Sequence, residues 1–313
     1  MKKCFLLDTF LLFLMIMPLL MNGVQAVSYQ DYTGKLGGAN YIIRIPSNWN
    51  GDLLVYCRGY AHLLSSVNLV TTLTLFSGLI NSGYAFAESD YGVGGYCIKE
   101  GMIRTHQLTE YVIDNFHLTG KVYLIGISMG GNTVLELGAK YPDLYSGVLD
   151  IAGTKDVISR YNLHSNYAAI DDDAALRAAV LANGGKDPPF PTTSIGGFRN
   201  YCTNSVADVK DQCKGTPDEK QQFYERISPV FDAVDISIPT ITVHGTADAL
   251  VPYSQSVAYM NAIAVAGHSD MYRLYKVVGG EHCNAAVVTQ IGPRFSQLVN
   301  WVENGVPAPA SSP

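Results

Sequence analysis

From about residue 40 the chain alternates short runs rich in β-branched and aromatic residues with longer stretches whose apolar positions recur at helical spacing. That rhythm predicts βα units and a mostly parallel sheet. Tyr41–Ile45 and Leu53–Cys57 read as strands on either side of the turn-forming Pro46-Ser47-Asn48-Trp49-Asn50-Gly51. A helical stretch over Val70–Asn81 leads to a strand at Tyr84–Ala87, and Met102–Phe116 has helical spacing ahead of the strand Lys121–Ile127. Gly130–Lys140 follows as a helix rich in small residues, stopped by Tyr141-Pro142, and Gly147–Ala152 as another strand. Strand-like runs then give way to Asp171-Asp172-Asp173, an alanine-rich helix over Ala174–Ala182 and Pro188-Pro189-Phe190-Pro191. Residues 156–235 are therefore expected to form an inserted cap or lid. The rhythm returns with the strand Ile238–His244, a helix over Tyr253–Ala266, the strand Tyr272–Val278 and a final helix over Ala285–Asn304. The core is expected in two parts, 27–155 and 236–305, with the Pro/Ala/Ser-rich residues 306–313 as a mobile tail.

Composition narrows the class. With 48% apolar and 15% charged residues among 313, the chain can fill a sizeable core and is not a disordered polymer. The formal charge of −6 contains no long run of either sign, which excludes the basic face that nucleic-acid binding requires. Thirty glycines and twenty tyrosines fit a globular enzyme rather than a coiled coil or helical repeat.

The N-terminus points to export. Lys2 and Lys3 precede an apolar run from Phe5 to Met21, and Val24-Gln25-Ala26 has the small-residue spacing of a signal-peptidase site, so residues 1–26 read as a secretory signal. The competing reading, an uncleaved anchor, has to accommodate Asp8 and Pro18 within a run near the lower length limit for a bilayer span. No later segment reads as a membrane span. Removal of the signal takes Cys4 with it and leaves an odd set: Cys57, Cys97, Cys202, Cys213 and Cys283. Cys202 and Cys213 flank a short polar stretch and are the first candidate for a disulfide bond in an oxidising compartment, with Cys57–Cys97 a second. No CxxC occurs and the histidines are scattered, so no metal site is expected.

The candidate chemistry centres on Gly126-Ile127-Ser128-Met129-Gly130, a GxSxG sequence between a predicted strand and a predicted helix. That is the setting of a nucleophile elbow: Gly126 and Gly130 leave room for a tight turn, and the Ser128 hydroxyl projects above the strand end. A serine hydroxyl needs a positioned base, and the base needs an acid to fix its tautomer. His282, in Gly279-Gly280-Glu281-His282, and Asp248, in His244-Gly245-Thr246-Ala247-Asp248, each follow a predicted strand and supply both. The order Ser, Asp, His is that of an α/β-hydrolase. Oxyanion donors are expected from the backbone N–H of Met129 and, in the loop Arg58-Gly59-Tyr60, from that of Tyr60, with Tyr60 and His62 as pocket candidates. Each assignment has a plainer competitor. Ser128 could cap the following helix, Asp248 could cap the helix near Pro252, and Asp150 is an alternative acid. Glu281 reads as a solvated loop carboxylate and His244 as a structural loop residue. His106, His117, His164 and His268 sit in no motif and read as surface or structural histidines.

Taken together, about residues 38–304 resemble the α/β-hydrolase superfamily. Pro46-Ser47-Asn48-Trp49-Asn50-Gly51-Asp52-Leu53-Leu54-Val55-Tyr56 looks like the start of secreted esterase-like members, with Arg58 where a His usually stands in the oxyanion turn. Trp301-Val302-Glu303-Asn304-Gly305-Val306-Pro307 resembles the C-terminal helix end of tannase and feruloyl-esterase-like hydrolases. The resemblance implies an α/β-hydrolase fold: a mostly parallel central sheet, helices on both faces and an inserted cap. It also implies acyl transfer by a serine nucleophile without metal or organic cofactor. The expected function is a secreted carboxylic ester hydrolase acting on a small-molecule ester. Two alternatives stand beside it: a serine peptidase similar to prolyl-oligopeptidase-type catalytic domains, and a non-catalytic ligand-binding protein on a hydrolase scaffold.

Overall fold

The computed structural model describes residues 26–310 apart from 188, 190, 191, 193 and 213–215. Of the expected signal segment, all but Ala26 lies outside the described residues. Among the described residues eight strands form one sheet: β1 (Tyr29–Leu36), β2 (Ala39–Pro46), β3 (Leu53–Cys57), β4 (Ala85–Ser89), β5 (Val122–Ile127), β6 (Gly147–Ile151), β7 (Thr240–Gly245) and β8 (Tyr272–Val277). Their spatial order is β1-β2-β4-β3-β5-β6-β7-β8. β1 pairs antiparallel with β2 and β2 with β4, and every other pairing is parallel.

Strands β3 to β7 are buried at every position, which is why they read as continuous apolar runs rather than as alternating ones. Alternate side chains still divide between two cores. Leu54 and Tyr56 of β3 join Tyr123, Ile125, Ile241 and Phe295 on one face of the sheet, whereas Leu53, Val55 and Cys57 join Leu124, Val134 and Ile263 on the other. β1 was not foreseen: its side chains are mostly exposed, and as an edge strand it needs no apolar pattern.

Helices cover both faces. They are α1 (Leu69–Leu75), α2 (Ser77–Asn81), α3 (Ile98–Phe116), α4 (Met129–Lys140), α5 (Val157–Ala168), α6 (Asp173–Ala182), α7 (Ile195–Gln212), α8 (Pro217–Glu225), α9 (Pro229–Asp232), α10 (Tyr253–Ala266), α11 (Ala285–Val288) and α12 (Ile291–Asn304). Two expected helices are each divided. Val70–Asn81 breaks at Phe76, and the C-terminal helix restarts at Ile291 because Pro293 fits only its first turn.

Among the described residues between β6 and β7 stand five helices, α5 to α9. α5, α6 and α7 carry a small apolar core of their own, in which Tyr167, Leu176, Val180, Phe198 and Cys202 pack against Ala249 and Leu250 of the loop after β7. α8 starts at a reciprocal cap: Thr216 accepts from the Glu219 N–H, and the Glu219 carboxylate accepts from the Thr216 N–H.

The disulfide expectation is corrected. Cys202 and Cys213 do not close a polar loop: Cys202 is a buried free thiol inside α7, which runs on to Gln212, about 15 Å along a helix axis. Cα atoms joined by a disulfide lie within about 7 Å. Cys213 itself lies outside the described residues. Cys57 and Cys97 are also free, the first facing Thr105 Oγ1 at 3.4 Å and the second receiving Arg58 Nη2 at 3.4 Å. The described part of the tail packs on the sheet edge: Ala308 is buried, its carbonyl accepts from Arg273 Nε at 2.9 Å, and the Pro309 carbonyl accepts from Tyr275 Oη.

Candidate active site

β5 ends at Ile127 and α4 begins at Met129, leaving Ser128 alone to reverse the chain, with φ 58° and ψ −120°. A non-glycine residue in that region is strained, and such strain persists only where the surroundings enforce it. Here the enforcement comes from backbone packing. A Cβ on Gly126 would overlap the Gly130 carbonyl, and one on Gly130 would overlap the carbonyl of Cys57, so both elbow glycines are required by contact. Ser128 occupies the cap position of α4 but its side chain makes no capping hydrogen bond, which removes the plainer reading.

The hydroxyl points instead at an imidazole. Ser128 Oγ lies 2.8 Å from His282 Nε2, and His282 Nδ1 lies 2.7 Å from Asp248 Oδ2. Ser128, Asp248 and His282 thus meet from the C-terminal ends of β5, β7 and β8. His282 and Asp248 are nearly sealed from solvent, and Ser128 is partly exposed. Asp248 does not cap α10: its Oδ1 accepts from the Leu250 N–H at 2.9 Å and the Val251 N–H at 2.8 Å, which folds the loop back on the carboxylate. Burial alone would raise the Asp248 pKa, but the imidazoles of His282 and His244 prevail and hold it well below the usual carboxylate range. Burial would lower that of His282, but the Asp248 carboxylate and the neighbouring Cys283 raise it.

Asp150, the alternative acid, is committed elsewhere. It is fully buried, forms an ion pair with Lys155 Nζ, accepts from Thr242 Oγ1 at 2.8 Å and takes the Gly153 N–H at 2.9 Å.

The Arg58-Gly59-Tyr60 loop lies against the nucleophile. A Cβ on Gly59 would stand 3.3 Å from the Ile127 carbonyl oxygen and 3.5 Å from Ser128 Cβ. Arg58 supports the loop. Its guanidinium is buried, sits 4.4 Å from the centroid of the Tyr91 ring, and donates to the carbonyls of Gly59 at 3.0 Å, Asp90 at 3.1 Å and Val93 at 2.7 Å. Met129, whose N–H is the other expected donor, opens α4 and is buried. Tyr60 is tied to the cap: its hydroxyl donates to Asp208 Oδ2 of α7 at 2.6 Å, and His62 Nδ1 reaches the same oxygen at 2.9 Å. A cleft of about 610 Å³ opens beside this tether, lined among others by His62, Leu63, Val93, Lys99, Asp208 and Phe223.

Several residues play larger parts than their sequence context suggested. His244 is buried, with Nε2 2.7 Å from the Val251 carbonyl and 3.1 Å from Asp248 Oδ2, and Nδ1 2.6 Å from Ser256 Oγ. Its four-residue spacing from Asp248 was the available signal. Glu281 is not a solvated carboxylate; it pairs with Lys186 at 3.3 Å. His164 is completely buried between α5 and the loop after β7. Among the described residues no cluster of three or more His, Cys, Asp or Glu is arranged to hold a metal ion, and no helix is long and apolar enough to cross a membrane.

Comparison with family models gives two matches. Residues 102–225, which include the elbow, match the esterase family, and residues 198–306, which include Asp248 and His282, match the prolyl oligopeptidase family. No curated protein matches the sequence. Among solved structures, a 2,6-dihydroxy-pseudo-oxynicotine hydrolase is 14% identical with a TM-score of 0.60, over 90% of this chain and 71% of its own. An esterase from Aspergillus oryzae is 14% identical at a TM-score of 0.58, over 90% and 81%. An acylaminoacyl peptidase from Pyrococcus horikoshii is 12% identical at 0.59, over 92% of this chain but 44% of its own. The chain spans less than half the length of that peptidase. Strand order, elbow geometry and these likenesses agree on the fold: the chain has the α/β-hydrolase fold, and its two partial family matches lie among the serine hydrolases.

Proposed function

We propose that the protein hydrolyses carboxylic esters through an acyl-enzyme on Ser128, with His282 as general base and then acid, and Asp248 as the residue that orients it. The observation that carries this reading is the unbroken contact from Ser128 Oγ to His282 Nε2 at 2.8 Å and from His282 Nδ1 to Asp248 Oδ2 at 2.7 Å, on a strained elbow. As Oγ attacks the acyl carbon, its proton passes to Nε2 and the carbonyl oxygen of the ester becomes an oxyanion. The imidazolium so formed lies against a buried carboxylate, which lowers the cost of forming it. The N–H groups of Met129 and Tyr60 are the proposed oxyanion donors, each worth on the order of 3 kcal/mol in the transition state. His282 then returns the proton to the departing alcohol, and water, deprotonated by the same imidazole, releases the acid and restores Ser128.

An ester rather than an amide is favoured by the esterase match over residues 102–225, the part of the chain that holds the nucleophile. A second reading, peptide hydrolysis, is favoured by the prolyl oligopeptidase match over residues 198–306. A panel of short-acyl, long-acyl and aryl esters against peptide anilides separates them. Turnover of an ester that vanishes in Ser128→Ala supports the proposal, and turnover of anilides alone transfers it to the second reading. Export is part of the proposal and rests on Lys2, Lys3, the apolar run and Val24-Gln25-Ala26; a native N-terminus at Val27 in expressed protein tests it.

A further inference from the structure

The carboxylate of Asp248 is held by more than its own loop. The peptide group joining Leu250 to Val251 donates its N–H to Asp248 Oδ1 at 2.8 Å, and the carbonyl of that same peptide lies 2.9 Å from His164 Nε2 on the cap helix α5. A carbonyl oxygen only accepts, so His164 carries its proton on Nε2 and presents Nδ1 as an acceptor. Ser205 Oγ of α7 lies 3.3 Å from Nδ1, and Arg160 Nη2 lies 3.0 Å from the same oxygen. A guanidinium only donates, which leaves the Ser205 hydroxyl proton free to point at His164. Every direction is thereby fixed: Arg160 donates to Ser205, Ser205 to His164, His164 to the Leu250 carbonyl, and the Val251 N–H to Asp248.

Resting on the reading of Asp248 as the acid of a catalytic triad, we infer that His164 is a positioning residue for Asp248, and that Ser205 and Arg160 set its tautomer. The network crosses from the cap into the catalytic loop through one peptide group. A hydrogen bond to a peptide carbonyl polarises the unit and strengthens its N–H as a donor. The packing runs in parallel, because the Leu250 side chain is buried in the cap's apolar core with Tyr167, Leu176 and Phe198. All of the side chains in the chain of bonds are buried, with Arg160 at 3%, His164 at 0% and Ser205 at 1% exposure, so water cannot substitute for any of them. His164 also remains neutral, since burial and the nearby Arg160 push its pKa well below the ordinary histidine range. Arg160 and His164 are four residues apart on α5 and so share one helix face, toward which Ser205 projects from α7.

The test measures phosphonylation of Ser128 by a fluorophosphonate as a function of reagent concentration, in the full chain and in His164→Phe, His164→Gln and Ser205→Ala. His164→Phe keeps an aromatic ring of similar volume but donates nothing. The expected result is a maximal rate lowered about tenfold, the worth of one hydrogen bond in a charged network, with little change in the half-saturating concentration. His164→Gln, whose side-chain amide can donate to the Leu250 carbonyl, is expected to recover most of the rate, and Ser205→Ala to fall between. A merely structural role would lower the folded fraction without separating the two kinetic parameters, and near-ultraviolet circular dichroism of each variant reports that fraction. Wild-type protein that is not labelled at all would remove the triad reading itself. Labelling in which His164→Phe matches the wild type, or in which Ser205→Ala matches it should His164→Phe fail to fold, would overturn the inference and leave the triad intact.

Discussion

His244 Nε2 stands 3.1 Å from Oδ2 of Asp248, the oxygen that also faces His282 Nδ1 at 2.7 Å. Two imidazoles therefore share one carboxylate oxygen. Since His244 Nε2 also lies 2.7 Å from the Val251 carbonyl, it carries a proton and acts as a second donor to the acid. Replacing His244 with Ala removes a charge-assisted hydrogen bond and leaves Ser256 Oγ unpaired. The expected outcome is a fall in kcat of about tenfold or more with KM little changed, checked by steady-state kinetics on an activated ester.

The acid limb of the pH–rate profile follows from the buried pair. In the proposed mechanism His282 serves as base in its neutral form, and the Asp248 carboxylate raises its pKa above the ordinary value of about 6.5. Activity is therefore expected to rise with pH through a midpoint above about 6.5. Asp248→Asn takes away the raising charge, so the limb moves to lower pH while kcat falls by about 10⁴-fold, as in other serine triads. A profile of kcat against pH for both forms checks both signs.

Asp150 gives the control. Asp150→Asn leaves Lys155 buried without its counter-charge, and breaking a buried ion pair costs about 3–5 kcal/mol. Urea unfolding should show that loss, while the rate of Ser128 labelling per folded molecule stays within a few-fold of wild type. A loss of labelling larger than that of Asp248→Asn would exchange the roles of the two aspartates.

Glu88 on β4 supplies a stability prediction away from the chemistry. It is buried, its Oε1 accepts from Thr72 Oγ1 at 3.3 Å, its Oε2 has no hydrogen-bond partner among the described residues, and burial raises its pKa to about 8. Between the ordinary carboxylate pKa and about 8 the folded protein retains a proton that the unfolded chain releases. Stability is thus greatest below that window and declines as pH rises through it. Glu88→Gln removes the decline and should stabilise the protein at pH 7 by on the order of 2 kcal/mol, with no gain at pH 4. Thermal unfolding of both forms at the two pH values measures it.

The strands, and the three side chains that meet at the end of the sheet, were legible in the sequence for a physical reason. A parallel sheet buried on both faces writes continuous apolar runs, and the elbow needs Gly126 and Gly130 at fixed offsets from Ser128 because a side chain at either would strike backbone. The strand ends after β7 and β8 then confine the acid and base to short loops, where Asp248 and His282 stand. What escaped was of two kinds. β1 is an edge strand with an exposed, polar pattern, so periodicity carried no signal. The network through Arg160, His164 and Ser205 joins two cap helices, with Ser205 41 residues from His164 and 45 from Arg160 in sequence, and nothing local marks a histidine that is bound at both nitrogens rather than solvated. The disulfide expectation failed because spacing alone did not reveal that the stretch after Cys202 is helical.

The most direct test of the central claim is mass-spectrometric mapping of a fluorophosphonate adduct on the folded wild-type chain. One adduct is predicted, on Ser128, absent in Ser128→Ala and formed roughly 10⁴-fold more slowly in His282→Ala, by analogy with other triads. Folded protein that takes no adduct, or takes it at another residue while Ser128 stays unmodified, would contradict the account.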